Sequence, residues 1–337
     1  MSWSVSLATF NLQNLGVDTA PGRLQRLAGF IVEHLQAPAI LAVQELAASP
    51  HGQATVSGFP SAAALLGAIR EAGGPDYRYR EVAPLAGADG GQAGLNIRVG
   101  FFFDPQRVDF NACGEADPRR AVVIHHARPP RLMPNPGRIE PCHPAFAGDS
   151  TRGWQPSRKA LTGEFRVAGE TLYLINCHLK SMRCRNRREA LQARAQRHAQ
   201  AERIAGFVRS LLCCQDHARV VVLGDLNDGV NSRTLEILKA SGLHNTLEAL
   251  PAGLRHTCSH GNSLQTLDHL LLSPALAAST TRVIHQHRHG LRPPVSDHDP
   301  ILVTLSTAPA RVMPSPPDPS AVAKCQTSAD TFTVVAH

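Results

Sequence analysis

The chain has 337 residues and carries 34 Lys and Arg against 27 Asp and Glu, a formal charge of +7. Apolar residues make up 43% and charged residues 18%, which excludes a charge-rich disordered protein and leaves enough for a sizeable core. No apolar run reaches the ~18–20 residues of a membrane span, and the positive balance suits a polyanionic partner.

Val5 and Leu7 alternate with polar neighbours, so residues 5–10 read as a first strand. Residues 23–35 place Leu24, Leu27, Ile31 and Leu35 on one helical face. A short buried strand at 39–43 ends in Gln44 and Glu45. A helix at 61–71 precedes the strand VGFFF at 99–103, which Asp104-Pro105 closes. Residues 113–157 carry seven prolines between Pro129 and Pro156 and read as a long irregular insert. The segments 160–167 and 171–177, joined across Ala168-Gly169-Glu170, read as a hairpin. A long basic helix follows at 186–212, with Leu191, Ala195, Ile204, Val208 and Leu211 on its inner side. Strands at 218–224, 266–273, 280–286 and 301–305 complete the set. The Pro-, Ser- and Ala-rich tail, 308–337, reads as disordered and leaves one domain over 1–307. Strands that are apolar throughout, alternating with helices in both halves, point to two sheets face to face with helices outside.

The start lacks a basic segment followed by an apolar one, so a cytoplasmic setting is expected; a trimmed mature form would be secreted. The eight Cys form no CxxC pair, and reduced thiols are the expectation. A Cys177–Cys184 disulfide requires the loop between them to double back.

Polar residues recur where apolar strands end. They are Asn11, Glu45, His178, Asp225 with Asn227, Asp268 with His269, and Asp297 with His298. Strand ends on one rim of a sheet bring distant residues together. Glu, Asp and Asn are hard oxygen ligands that suit Mg²⁺ or Mn²⁺ better than Zn²⁺. His supplies a group that exchanges protons near neutral pH. With a basic surface, this is the kit for metal-assisted phosphodiester hydrolysis. Taken singly, Glu45 also reads as a surface carboxylate, Asp225 and Asn227 as turn formers, and residues 297–300 as a turn. His269 reads as structural, because strand neighbours face opposite ways. His285, His287 and His289 alternate as metal ligands would, or lie along a solvated edge. Lys180, Arg183, Arg185, Arg187, Arg188, Arg194 and Arg197 form either a solvated face or a track for a phosphate backbone.

The ordered series FNLQN (10–14), VQEL (43–46), PSRKALTGEF (156–165), NCHLKS (176–181), GDLND (224–228), TLDHLLLS (266–273) and SDHDPI (296–301) resembles the endonuclease/exonuclease/phosphatase, or DNase I-like, superfamily. In motif form it is most similar to the bacterial extracellular nucleases. The resemblance implies a four-layer α/β/β/α sandwich, two packed mixed sheets with outer helices. It implies Glu45 as the main metal ligand, with Asn11 supporting the metal or the phosphate and Asp297 beside the ion. Asp225 and Asn227 would position the attacking water and the phosphate. His298, oriented by Asp268, would be the general base or stabilise the phosphate. His178 would contact the phosphate and assist the leaving oxygen, and Arg158 would contact the phosphate. Lys180, Arg185, Arg187 and Arg188 are the candidate substrate contacts outside this centre. One position departs from the family pattern: Ile97 stands where a Glu orients the first His, so His178 has another orienting partner or binds phosphate instead.

The expected activity is that of a monomeric, Mg²⁺- or Mn²⁺-dependent nuclease on DNA or RNA with little sequence preference. The alternatives are hydrolysis of a small phosphoester or lipid headgroup, and a silent nucleic-acid-binding module.

Overall fold

Side-chain alternation along each central strand separates an inter-sheet core from two outer cores. This is seen in the computed structural model, which describes residues 3–47, 59–84, 87–90, 96–141, 155–260, 263–291 and 293–307. The chain begins with β1 (Ser4–Leu15), α1 (Pro21–Glu33), β2 (Ile40–Ala47), α2 (Phe59–Glu71), β3 (Arg78–Arg80), β4 (Ile97–Phe103) and β5 (Asp109–Phe110). Next come β6 (Val123–His125), β7 (Arg131–Met133), β8 (Gly137–Arg138), β9 (Leu161–Val167) and β10 (Glu170–His178). The second half holds α3 (Arg187–Cys214), β11 (Arg219–Asp225), α4 (Arg233–Lys239), β12 (His244–Asn245), β13 (Cys258–His260), β14 (Ser263–Gln265), β15 (Asp268–Leu272), β16 (Leu276–Val283) and β17 (Ile301–Thr307).

One sheet runs β16-β17-β1-β2-β4-β3 and the other β12-β15-β11-β10-β9-β5, with β8 also on β9. Both are mixed, because β1 pairs β2 and β10 pairs β11 in parallel while their other neighbours are antiparallel. Val5 and Leu7 of β1, Ile40 and Ala42 of β2, Leu172 and Leu174 of β10, and Val221 and Leu223 of β11 share the core between the sheets. Their neighbours in sequence face outward. Ala8, Phe10, Leu41 and Val43 pack with Leu27, Phe30 and Leu65 of α1 and α2. Tyr173, Ile175, Val220 and Val222 pack with Ile204, Phe207 and Leu235 of α3 and α4. Burying each such Leu, Ile or Phe contributes ~1.5–3 kcal/mol. Within the inter-sheet core, Phe165 meets Phe101, Phe103 and Phe110 edge to face at 5.5, 5.7 and 5.1 Å. These layers are the expected α/β/β/α sandwich.

Some expectations are corrected. The described part of the 113–157 insert is not irregular throughout: β6 and β7 form a ribbon, and β8 extends the second sheet. Leu191 is exposed rather than inward. In the 28-residue α3, ~42 Å long, the buried face begins only at Ala193. The strand expected at 280–286 is β16, which ends at Val283; His285 and Gln286 turn inward and are buried. The helix α4 and the β13–β14 hairpin were not anticipated. The 308–337 tail lies outside the described residues, as do Cys142 and Cys325. The other six cysteines are unbridged, Cys177 and Cys184 included. Among the described residues no helix is long and apolar enough to cross a membrane.

Candidate active site

The inward parity that makes the inter-sheet core turns polar at one end. Continuing it gives Thr9 and Asn11 on β1, Gln44 on β2, Asn176 and His178 on β10, Asp225 on β11 and Asp268 on β15. All of these are buried. Immediately beneath the site the Gln44 amide donates to Asn176 Oδ1 at 2.7 Å and Thr9 Oγ1 at 3.0 Å. Asn176 Nδ2 in turn donates to the carbonyls of Val43 (3.0 Å) and Gly100 (2.9 Å). This satisfied network ties the two sheets where the apolar core stops. Sequence reading missed it. Its signal was available: Thr9 and Asn176 each stand two residues before a predicted site residue, on the same strand face.

Two local distortions aim the chemistry. The β1 and β2 registers slip between Asn11 and Leu15 and between Gln44 and Leu46. Glu45 sits in the second bulge at φ 58, a left-handed conformation that an L-residue holds only when its surroundings impose it. The bulge turns the Glu45 carboxylate onto the site, where Oε2 accepts from the Asn14 amide at 3.0 Å. In GDLND, Gly224 has φ +121, and a Cβ there would lie 2.0 Å from the Cys177 carbonyl oxygen. Only Gly lets β11 approach β10 and deliver Asp225 beside His178.

Asn11 Nδ2 lies 3.1 Å from Asp225 Oδ2 and 3.3 Å from Glu45 Oε1. Asn11 Oδ1 accepts from the Gln13 amide, so Asn11 presents its N–H groups, not its oxygen, to the two carboxylates. His178 Nε2 is 3.4 Å from Asp225 Oδ2 and 3.8 Å from Glu45 Oε1. Asn227, at φ 51, donates from its backbone to Asp225 Oδ1 at 2.8 Å and from its side chain to the Leu179 carbonyl at 3.2 Å. Arg158 Nη2 donates to the same carbonyl at 2.6 Å, which places its buried guanidinium beside Glu45 and Asp225. A buried ion cluster secures this segment: Asp89 takes a two-pronged bond from Arg138 and lies 3.3 Å from Lys159. His298 Nδ1 meets Asp268 Oδ2 at 2.7 Å. The Asp268 and Leu267 amides are both held by Thr257 Oγ1 at 3.0 Å.

Electrostatics separate the two imidazoles. Burial holds the His178 pKa well below the ordinary value, and Arg158 and His298 push it the same way, so His178 is neutral. Its Nδ1 is buried and has no hydrogen-bond partner among the described residues. Burial also disfavours charge on His298, but the adjacent Asp268 carboxylate outweighs it and raises the pKa well above the ordinary value. Burial, followed by the charge of Asp268, pushes Asp225 up to about 7.

That shift has a sign for stability. A carboxyl with a raised folded pKa binds more protons in the native state. Stability is therefore lost as pH rises from the unfolded value near ~4 through ~7. The expected result is that Asp225→Asn stabilises the protein at pH 8 in EDTA, by at most about 4 kcal/mol, and much less at pH 4. Urea unfolding at the two pH values checks it, and equal effects at both would sink it.

Two overlapping groups offer ligand atoms within 4.8 Å of one another: Glu45, His178 and Asp225, and Asp225, Asp268 and His298. Among the described residues Asp268 Oδ1 is buried and has no partner, so the donor set has unused capacity. These residues fit a hard divalent cation, with Glu45 and Asp225 as its oxygen donors. Asp297 lies outside both groups, with its carboxylate 3.8 Å from Arg183 Nη2. Lys180 is half-buried, whereas Arg185, just before α3, and Arg187 and Arg188, in its first turn, are exposed. Arg185 is engaged with Glu189, at 2.8 Å for the closest pair. Arg197 is buried against Asp228 and the Lys180 carbonyl, so it belongs to the packing rather than to the basic face.

His269 faces outward, between Asn245 and the Asp228 carbonyl. His285 is buried, not solvated. It bonds Asp299 at 3.0 Å and stacks on His256 with centroids 4.0 Å apart and planes 13° apart. His256, His285 and Asp299 also offer ligand atoms within 4.8 Å of one another, with the two imidazoles stacked nearly parallel.

The fold is shared with solved structures. An endonuclease/exonuclease/phosphatase family protein from Bacteroides thetaiotaomicron has a TM-score of 0.59 at 18% identity, covering 94% of this chain and 99% of that one. A Bacteroides vulgatus endonuclease/exonuclease/phosphatase gives 0.58 at 16% identity, covering 90% and 99%. D. rerio TDP2 complexed with a single-strand DNA product gives 0.55 at 18% identity, also covering 90% and 99%. No curated protein matches the sequence. Residues 8–298 match the Endonuclease/Exonuclease/phosphatase family model, and the chain belongs to that family.

Proposed function

We propose that this protein is a Mg²⁺- or Mn²⁺-dependent phosphodiester hydrolase, a nuclease acting on DNA or RNA with low sequence preference. The observation that carries the reading is the convergence of Glu45, His178, Asp225, Asp268 and His298 at one end of the inter-sheet layer. The exposed cations at the start of α3 follow closely on His178 in the chain. The family name and the DNA-bound TDP2 neighbour support the same class.

When bound, the cation supplies Lewis acidity at a phosphoryl oxygen and lowers the pKa of a water. Glu45 and Asp225 hold it. Arg158 adds a fixed positive charge beside them for the phosphate. Asn227 positions the water and the phosphate. Asp268 orients the His298 ring through Nδ1, so that Nε2 would face the phosphate. With a raised pKa, that imidazolium stabilises charge on the phosphate. His178, neutral and unsupported at Nδ1, serves phosphate binding. HLKS and the basic helix support a place near the extracellular nucleases.

A nuclease must hold a long polyanion, and each neutralised phosphate contributes a slope of about −0.9 in log affinity against log salt on duplex DNA. With three or four contacts, affinity falls ~40–150-fold between ~50 and ~200 mM salt. Reversing Arg185, Arg187 and Arg188 to Glu therefore weakens plasmid and RNA binding and flattens the slope, while hydrolysis of bis-p-nitrophenyl phosphate is spared. Measuring plasmid, RNA, that diester and sphingomyelin side by side, with and without EDTA, decides the class. Unchanged nucleic-acid binding in the triple variant, with better turnover of a small ester, would favour the small-phosphoester reading.

A further inference from the structure

After β16 the chain makes one short 3-10 turn, Gln286–His289, before the loop that carries His298 into β17. The first residue of that turn, Gln286, is buried. An amide side chain has two N–H donors and an oxygen with two acceptor sites. In Gln286 all of them are spent on the backbone of this one loop. Nε2 donates to the His298 carbonyl at 2.6 Å and the Ser296 carbonyl at 3.1 Å. Oε1 accepts from the Val295 amide at 2.9 Å and the Ser296 amide at 3.4 Å.

The frame continues on both sides. Asp299 accepts from the Gln286 backbone amide and pairs with His285, each at 3.0 Å. Ser296 Oγ donates to the Asn11 carbonyl at 2.7 Å, and the His298 amide donates to Ser296 Oγ at 3.1 Å. The Asp299 amide bonds the Thr257 carbonyl at 2.6 Å, and Thr257 Oγ1 is the acceptor that fixes Asp268. His298 is thus hung from Gln286, and its partner Asp268 from Thr257, on one bonded frame. A shift of ~1 Å in a working group costs on the order of a hundredfold in rate, and of the four bonds of Gln286 one acts at the His298 carbonyl and three at Val295 and Ser296 just before it.

We propose that Gln286 is a positioning residue of the reaction, its amide holding the 295–298 loop so that His298 stays in register with Asp268. This rests on the reading of His298 as a catalytic group. Gln286→Met keeps length and volume and removes all four bonds. Gln286→Glu keeps the two acceptor bonds and sets a buried carboxyl oxygen against the Ser296 and His298 carbonyls in place of the two donor bonds. On bis-p-nitrophenyl phosphate with saturating Mg²⁺, well below the unfolding temperature, kcat is expected to fall ~10–100-fold in the Met variant. The Glu variant should fall at least as far, because its carboxyl oxygen faces two carbonyls, and KM should stay within about threefold in both. Proton NMR supplies the readout that a merely structural role would not move: the low-field His298 Nδ1–H resonance, present in wild type, is lost or displaced in Gln286→Met.

A Met variant with wild-type kcat and an unmoved resonance, even one with a lowered melting temperature, overturns the proposal. If that variant does not fold, wild-type kcat and resonance in Gln286→Glu overturn it equally. His298→Ala is the control for the underlying reading. Should that variant keep full activity, the site assignment fails, and the resonance alone then judges whether Gln286 positions the ring.

Discussion

Replacing Glu45 with Gln is expected to lower turnover of any phosphodiester by at least about 10³-fold and to leave the fold intact. The several kcal/mol that a Lewis acid supplies at a phosphoryl oxygen corresponds to a rate factor of that order. Glu45 is the carboxylate that the β2 bulge turns into the site, and Gln keeps its shape while removing its charge. The neighbours are prepared for an anion: Asn14 donates to Oε2 at 3.0 Å, and Asn11 Nδ2 lies 3.3 Å from Oε1. Half-buried rather than enclosed, Glu45 contributes little packing, so the melting temperature of the variant should stay close to wild type. EDTA should abolish wild-type activity, and Mg²⁺ or Mn²⁺ should restore it. Near-normal turnover of Glu45→Gln at saturating Mg²⁺ would remove this residue from the centre of the reaction.

His298→Ala should cost about 10²–10⁴-fold, the range typical of a positioned acid or base. Asp268→Asn should cost less, ~10–100-fold, because it leaves the imidazole in place and removes the carboxylate that orients it. The pH dependence carries the finer information. Asp268 raises the His298 pKa above its ordinary value, against the effect of burial. An imidazolium that stabilises the phosphate loses activity on the alkaline side, as pH climbs through that raised pKa. Without the Asp268 charge the alkaline limb moves to lower pH. A general base instead shows an acid limb, and Asp268→Asn moves that limb downward. Rate profiles from pH 5 to 9 distinguish the two. Wild-type rates for both variants across that range would take His298 out of the chemistry.

Much of this molecule follows from local pattern. The 2-residue alternation in β1, β2, β10 and β11, and the switch from apolar to polar at the end of each, depend only on which side of a strand a residue occupies. For that reason Asn11, Glu45, His178, Asp225, Asp268 and His298 could be picked out as strand-end residues, and their order along the chain carried the family resemblance. Three kinds of fact could not be read there, each for a physical reason. Burial depends on what lies opposite: Leu191 fits the apolar side of α3 by periodicity, yet it meets solvent. Backbone distortion depends on neighbouring strands: the bulge that aims Glu45 arises from register with β1 and β4, not from VQEL itself. Polar partnership depends on loops far apart in sequence. Nothing near Gln286 announces that its amide will be filled by residues 295–298, and nothing in HQHRH says that His285 pairs with Asp299 and His256 rather than with its own neighbours. The strands determine which side chains can reach the site. The packing of two sheets and the loops at their ends determines how those side chains are charged, aimed and held.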